Sequence, residues 1–250
     1  MARSRADRPG RLPAATTIVA LVALAVVGAM AAGCAKDRAP AEGARTLDVE
    51  GLAVHAIVRG PSVATAKLAV LFLHGGSYTS RIWADRGILD DVAAAGYRAV
   101  AVDLPGYGET PMPKGGNDDP DADAAFIAAM ADQLGGADDV VIVSPSASGK
   151  FSLPYLATDP DPPPAGFVPI APVGTETFDR PSGSRRVPTL IVWGEHDDVR
   201  PRDQMQVLAD QLPGAQQEVI AGAGHAAYDD HPTEFTKLLL AFLSDATARR

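Results

Sequence analysis

Three serines crowd the stretch Ser144-Pro145-Ser146-Ala147-Ser148, after the apolar run Val140-Val141-Ile142-Val143 and before Gly149. A serine hydroxyl becomes a working nucleophile only when a base lies within hydrogen-bond reach and a carboxylate orients that base. The stretch has a layout that can present such a serine. A buried strand leads into a tight turn of small residues, and a helix follows with Phe151, Leu153, Tyr155 and Leu156 as its apolar positions. The usual pattern of such an elbow is G-x-S-x-G, and here serines stand at the outer small positions. Sterics separate the three candidates, because residues two before and two after the nucleophile must be small. Ser144 has Ile142 behind it, and Ser148 has Lys150 ahead of it. Only Ser146, between Ser144 and Ser148, satisfies both sides. Taken alone, the stretch can also be read as a Ser/Gly-rich loop that turns the chain or holds a phosphate at a helix N-terminus.

The chain has five histidines that could act as the base: His55, His74, His196, His225 and His231. His225 stands out in Ala221-Gly222-Ala223-Gly224-His225, just past the last expected strand, where glycines let the loop turn back over the sheet. His55 and His231 read as free surface histidines. The orienting carboxylate should follow the preceding strand, in Gly194-Glu195-His196-Asp197-Asp198. Asp197 is the choice, with Asp198 and Glu195 as alternatives, and Asp198 is expected to cap the next helix. Oxyanion donors are each worth roughly 2.7–4 kcal/mol in such chemistry. The backbone N–H of Ala147 is one candidate, and that of Gly76 in His74-Gly75-Gly76-Ser77 is the other. His74 is expected to be structural, bonded to nearby backbone.

These residues need a frame. Residues 47–50 and 52–58 read as two strands around Gly51, and residues 67–73 as a dense apolar strand running into His74. Residues 82–95 read as a helix closed by Gly96, and residues 98–102 as the next buried strand. Residues 110–121, rich in Pro, Gly, Asn and Asp, read as a long mobile loop. A helix over 122–134 precedes the elbow strand, and the elbow helix runs to about residue 158. Strands over 167–170, 187–193 and 217–220 follow, with helices over 201–212 and 232–246. Short apolar strands alternating with helices imply a largely parallel sheet covered on both faces. In such sheets the reactive loops gather beyond the carboxyl ends of the strands, and His74-Gly75-Gly76, residues 103–108, Ser146, Asp197 and His225 fall there.

The N-terminus reads differently. Arg3, Arg5, Arg8 and Arg11 precede an unbroken apolar or small run over residues 18–32. A basic start and an apolar core make a secretory signal, here residues 1–33. The run ends in Ala31-Ala32-Gly33-Cys34, which resembles a bacterial lipobox with alanine where leucine is usual. Cys34 is then the lipidated first residue of the mature chain, and residues 34–45 form a flexible tether. An uncleaved membrane anchor or free secretion are the other outcomes, and all three place residues 46–250 outside the cytoplasm. Cys34 is the only cysteine, which excludes an intramolecular disulfide and any Cys-based metal site. Residues 1–33 carry four basic groups and one acidic group, so 18 basic and 30 acidic groups remain of the chain's 22 and 31. No basic cluster survives outside the signal, which argues against nucleic acid and against electrostatic adhesion to anionic lipid.

Five segments together resemble a known family. They are Leu73-His74-Gly75; residues 96–106, from Gly96-Tyr97-Arg98 to Leu104-Pro105-Gly106; residues 141–149 through Ser-Pro-Ser-Ala-Ser-Gly; residues 166–172; and Gly222-Ala223-Gly224-His225. Residues 46–243 are thereby similar to the α/β-hydrolase superfamily, and within it to the ABHD14 group, the CCG1-interacting-factor-B-like proteins. The Ser-Pro-Ser-x-Ser-Gly elbow is more specific than G-x-S-x-G. The resemblance implies an α/β-hydrolase fold with a mostly parallel sheet. It gives Ser146, Asp197 and His225 the triad roles, in that family's chain order. Members are said to cleave small acyl esters, and one is linked to lysine deacetylation with coenzyme A as acceptor. An exported chain without a basic patch is not expected to share the coenzyme A step.

About sixteen residues, 172–187, separate two of the strands where many such hydrolases insert a helical lid. That is too short for a lid domain, so an open site for small or exposed acyl groups is expected, with no metal or organic cofactor. A cofactor-free perhydrolase or acyltransferase would use the same triad. A non-catalytic binding protein on the same scaffold would lack Ser146 reactivity.

Overall fold

The computed structural model describes residues 43–116 and 118–249. The expected signal, Cys34 and residues 35–42 of the expected tether lie outside the described residues. β1 (Gly43–Val49) and β2 (Leu52–Arg59) form an antiparallel hairpin, and Glu50 and Gly51 turn the chain with φ of 51° and 85°. Residues 43–45, expected in the tether, therefore belong to the sheet. The other strands are β3 (Ala69–Phe72), β4 (Arg98–Val102), β5 (Val140–Pro145), β6 (Gly166–Ile170), β7 (Leu190–Gly194) and β8 (Gln216–Ile220). Their order is β1-β2-β4-β3-β5-β6-β7-β8. β2 joins β4 antiparallel, and from β4 to β8 every pairing is parallel.

The central strands are buried on both faces, which is why they read as continuous Val, Ile and Leu rather than as alternation. Ala69, Leu71, Val140 and Ile142 point into one core, with Phe126 and Ile127 of α3 (Pro120–Gln133), Phe151 of α4 (Gly149–Ala157) and Leu208 of α5 (Asp203–Gln211). Val70, Phe72, Val141 and Val143 point into the other. There they meet Trp83 of α1 (Arg81–Asp85), Leu89 of α2 (Ile88–Ala94) and Tyr228 of α6 (Ala227–Asp230). Phe235 and Leu239 of α7 (Pro232–Ala248) complete this second layer.

Three local differences from expectation have simple causes. The single helix expected over 82–95 is two, because Gly87 takes φ 73° and breaks it. α3 starts at Pro120 rather than 122. The Asp119 carboxylate accepts the N–H of Asp121 at 3.0 Å, and Pro120 fills the first-turn position that needs no donor. The four-residue α6 was not expected, being too short for any periodic signal. Residues 110–119, where described, form the surface loop expected before α3, and contacts are made near both of its ends. Thr110 is buried and its hydroxyl oxygen accepts the N–H of His55 at 2.9 Å, while Lys150 Nζ lies 3.0 Å from Asp118. Residues 171–189 contain no helix, so no lid is inserted there. No described helix is long and apolar enough to cross a membrane.

Candidate active site

β5 delivers Ser146 to the carboxyl edge of the sheet with φ 47°, in the left-handed region. A non-glycine residue held there costs of order 1–3 kcal/mol, and such strain persists only where the surroundings over-determine it. They do so here. The Ser146 carbonyl accepts the N–H of Val173 at 2.9 Å. A Cβ on Gly149 would stand 2.3 Å from the Val173 carbonyl oxygen, so α4 can approach that strand end only with glycine there.

The outer serines do more than stay small. Ser148 donates to the Pro145 carbonyl at 2.8 Å, so the 3.0 Å contact between Ser144 and Ser148 has Ser144 as donor. Ser144 then accepts from Ser152 at 2.7 Å. The three hydroxyls are buried and form one directed chain, Ser152 to Ser144 to Ser148 to backbone. That chain satisfies polar groups which would otherwise be costly in a core, and it explains how serines stand where glycines are usual.

Three loops meet at Ser146. His225 Nε2 lies 2.8 Å from Ser146 Oγ, and His225 Nδ1 lies 2.9 Å from Asp197 Oδ2. A carboxylate only accepts, so Nδ1 carries the proton and Nε2 is free to accept from the serine. The Asp197 side chain is wholly buried. Its second oxygen, Oδ1, accepts the N–H groups of Val199 at 2.9 Å and Arg200 at 2.8 Å. Asp197 therefore also closes its own loop, whereas Asp198, expected to cap the next helix, is exposed, and α5 begins after Arg202 with no side-chain cap. Glu195, the other alternative, faces away and accepts the N–H of Gly222 at 2.8 Å.

The histidine loop is braced from both sides. His196 N–H donates to the Ala223 carbonyl at 2.8 Å, and Gly224 N–H donates to Asp230 Oδ2 at 2.8 Å. On the opposite side of Ser146, a Cβ on Gly76 would lie 3.4 Å from Ala147 Cβ, so the two expected oxyanion donors belong to touching residues. Both sit on the exposed or half-exposed rim.

His74 holds that rim from beneath. It is buried, and its Nε2 accepts the N–H of Leu104 at 3.0 Å, so its Nδ1 is the donor to the Gly75 carbonyl at 2.9 Å. Burial pushes the imidazole below its ordinary value, which suits a ring that must stay neutral to accept from Leu104.

His55 differs from expectation. It is not a free surface group, since its Nδ1 lies 3.2 Å from Asp103 Oδ2 under the loop that follows β4. Burial pushes the Asp103 carboxyl up. The N–H groups of Glu109 and Ser80, the Ser80 hydroxyl and His55 outweigh that and hold it below the usual range. Sequence spacing could not reveal this pairing, which joins β2 to a loop 48 positions later. His231 is exposed, as expected.

Beside the elbow, α4 and residues 174–179 enclose an open cleft of ≈ 390 Å³ lined by Gly149, Lys150, Leu153, Gly174 and Phe178 among others. Ser146, Asp197 and His225 are not among its lining residues.

Residues 70–174 match a model of the alpha/beta hydrolase family, and residues 170–232 match one of the alpha/beta hydrolase fold. ABHD14B of Homo sapiens, described as a candidate protein-lysine deacylase, is 40% identical over 204 residues, which are 79% of this chain and 93% of that one. This chain belongs to the α/β-hydrolase family. ABHD14A of Danio rerio is 39% identical over 182 residues, 71% of this α/β hydrolase and 65% of that protein. A crystal structure from Thermoplasma acidophilum, described as a predicted CIB-like hydrolase, superposes with a TM-score of 0.73 at 27% identity. It covers 82% of this hydrolase and 99% of its own chain.

Proposed function

We propose that this hydrolase is a serine esterase acting on small acyl esters through Ser146, His225 and Asp197. The supporting observation is the continuous hydrogen-bond chain from Ser146 Oγ through both nitrogens of His225 to the buried Asp197 carboxylate. In the proposed reaction His225 Nε2 takes the Ser146 proton as Oγ bonds to the acyl carbon. Asp197 stabilises the imidazolium that forms. The N–H groups of Gly76 and Ala147 hold the oxyanion. As the tetrahedral adduct collapses, the imidazolium gives its proton to the departing alcohol. Water enters, loses a proton to His225 as its oxygen bonds to the acyl carbon, and the second adduct collapses by breaking the bond to Oγ, which takes the proton back from the imidazolium and leaves a carboxylic acid and free Ser146. The human relative described as a candidate protein-lysine deacylase fits an acyl-transfer reading.

The absence of any lid in residues 171–189 supports short acyl groups. Turnover of p-nitrophenyl acetate and p-nitrophenyl dodecanoate by the wild type and by Ser146→Ala tests the proposal. Acetate should be the better substrate and Ser146→Ala should lose it. A clear preference for dodecanoate overturns the short-acyl part, and undiminished turnover by Ser146→Ala overturns the esterase.

The proposal also places the enzyme outside the cytoplasm, tethered to the membrane through lipidated Cys34. Its support is the sequence of residues 1–34. The wild type should incorporate labelled fatty acid and Cys34→Ser should not, and a wild type without label, or equal labelling of Cys34→Ser, contradicts the lipid anchor.

A further inference from the structure

Resting on the serine-esterase reading, we infer that Tyr78 and Asp229 form a positioning pair that fixes the oxyanion loop against the loop carrying His225. The Tyr78 hydroxyl donates to Asp229 Oδ2 at 3.0 Å, across 151 positions of sequence. Arg86 Nε donates to the other oxygen, Asp229 Oδ1. The carboxylate is thus held between the oxyanion loop and the break between α1 and α2.

Each partner is rigidly joined to one half of the site. On the first side, Tyr78 N–H donates to the Gly75 carbonyl at 3.0 Å, the same oxygen that accepts from His74. Gly76 lies inside that turn, so a displacement of Tyr78 carries Gly76 with it. On the second side, Asp229 and Asp230 are consecutive in α6, and both N–H groups donate to the Ala226 carbonyl, at 2.8 and 3.0 Å. Asp230 Oδ2 accepts the N–H of Gly224, the residue before His225. One carboxylate of α6 thus holds the base loop while its neighbour holds the oxyanion loop.

The space between is filled. Tyr228 is buried, stacks on Trp83 with ring centroids 4.5 Å apart, and meets the Tyr78 ring edge-on at 6.0 Å. A Cβ on Gly75 would lie 3.5 Å from Ser146 Cβ, 3.6 Å from the Tyr228 hydroxyl and 3.6 Å from the Tyr78 ring. Gly75 is therefore the point where nucleophile, oxyanion loop and α6 come together. Burial, and then the hydrogen bond and charge of Asp229, push the Tyr78 phenol up, so it remains a donor at neutral pH.

The pair can be separated from fold stability. The Arg86 side chain is 45% exposed and that of Asp229 17% exposed, so the thermal midpoint is read beside the rate to separate positioning from folding. A small displacement of oxyanion donors relative to the base is costly to rate.

The test compares Tyr78→Phe, Asp229→Ala, Asp229→Asn and the double variant Tyr78→Phe/Asp229→Ala. The readouts are kcat and KM on p-nitrophenyl acetate, thermal midpoint, and Ser146-dependent labelling by a fluorophosphonate. Tyr78→Phe and Asp229→Ala should each lower kcat by roughly 10-fold to 100-fold, with KM within about twofold and the melting transition retained. The double variant should be no worse than the single ones. Asp229→Asn, whose amide oxygen still accepts from Tyr78, should recover most of the loss. Additive losses, a kcat within twofold of wild type in Tyr78→Phe, or a fall in kcat matched by unfolding overturns the pair while leaving the esterase in place. A wild-type chain without Ser146-dependent labelling overturns the esterase reading and the pair with it.

Discussion

A methyl group on Gly194 would stand 1.9 Å from the carbonyl oxygen of Gly224 and 2.6 Å from that of Ala223. Gly194 ends β7 just before the Asp197 loop, and Gly224 immediately precedes His225. The 2.9 Å contact between Asp197 and His225 depends on these two backbones touching.

Gly194→Ala should therefore separate the two loops. Overpacking of this kind costs typically 1–3 kcal/mol, and the displaced imidazole should lower ester turnover about 100-fold. Steady-state rates and thermal melting of the variant check this. Turnover within a few fold of wild type would mean that the loops are not held by this contact.

Asp197 serves two masters through its two oxygens, and Asp197→Asn pulls them apart. The amide oxygen can still accept from Val199 and Arg200, so the loop and the melting transition should survive. The amide nitrogen then faces His225 Nδ1 and favours the wrong tautomer. By comparison with other Ser-His-Asp enzymes kcat should fall roughly 10³- to 10⁴-fold. A loss below tenfold would remove Asp197 from the role proposed for it.

Parts of this architecture could be read from residue order alone because they obey local rules. Val140 to Val143 must be a buried strand, and the small residues around Ser146 must form its turn. Glu195, Asp197 and Asp198 all follow the same strand end, so residue order leaves the three open, and it is the 2.9 Å contact with His225 that singles out Asp197. What escaped was long-range. His55 looked solitary until β2 was laid antiparallel to β4, which brings Asp103 against it. The residues of α6 carry no periodic signature, and only folding across the sheet sets Asp229 beside Tyr78. Asp119 and Pro120 carry the start signal of α3, whereas its apolar pattern begins only after them, so periodicity alone points to a start at residue 122.

Asp123 gives a pH test of the first core. It lies in the first turn of α3, buried, and its carboxyl is pushed up to about 6 chiefly by burial, helped by Asp119 and Asp118 and opposed by Lys150. The folded protein therefore binds this proton more tightly than the unfolded chain. Stability falls as pH rises from about 4 to about 6 and stays at the lower level above that. Asp123→Asn should be the more stable form at pH 8, by about 1–3 kcal/mol, and should converge with wild type near pH 4. Guanidinium denaturation at both pH values measures the difference. A variant less stable than wild type at pH 8 would show that the Lys150 contact outweighs the cost of burial.

The most direct measurement is peptide mapping by mass spectrometry after brief exposure to a fluorophosphonate. A serine activated by His225 and Asp197 predicts one adduct, on Ser146, formed in the folded wild type and missing from Ser146→Ala and from heat-denatured protein. No adduct at Ser146, or an equal yield on Ser144 or Ser148, would contradict it.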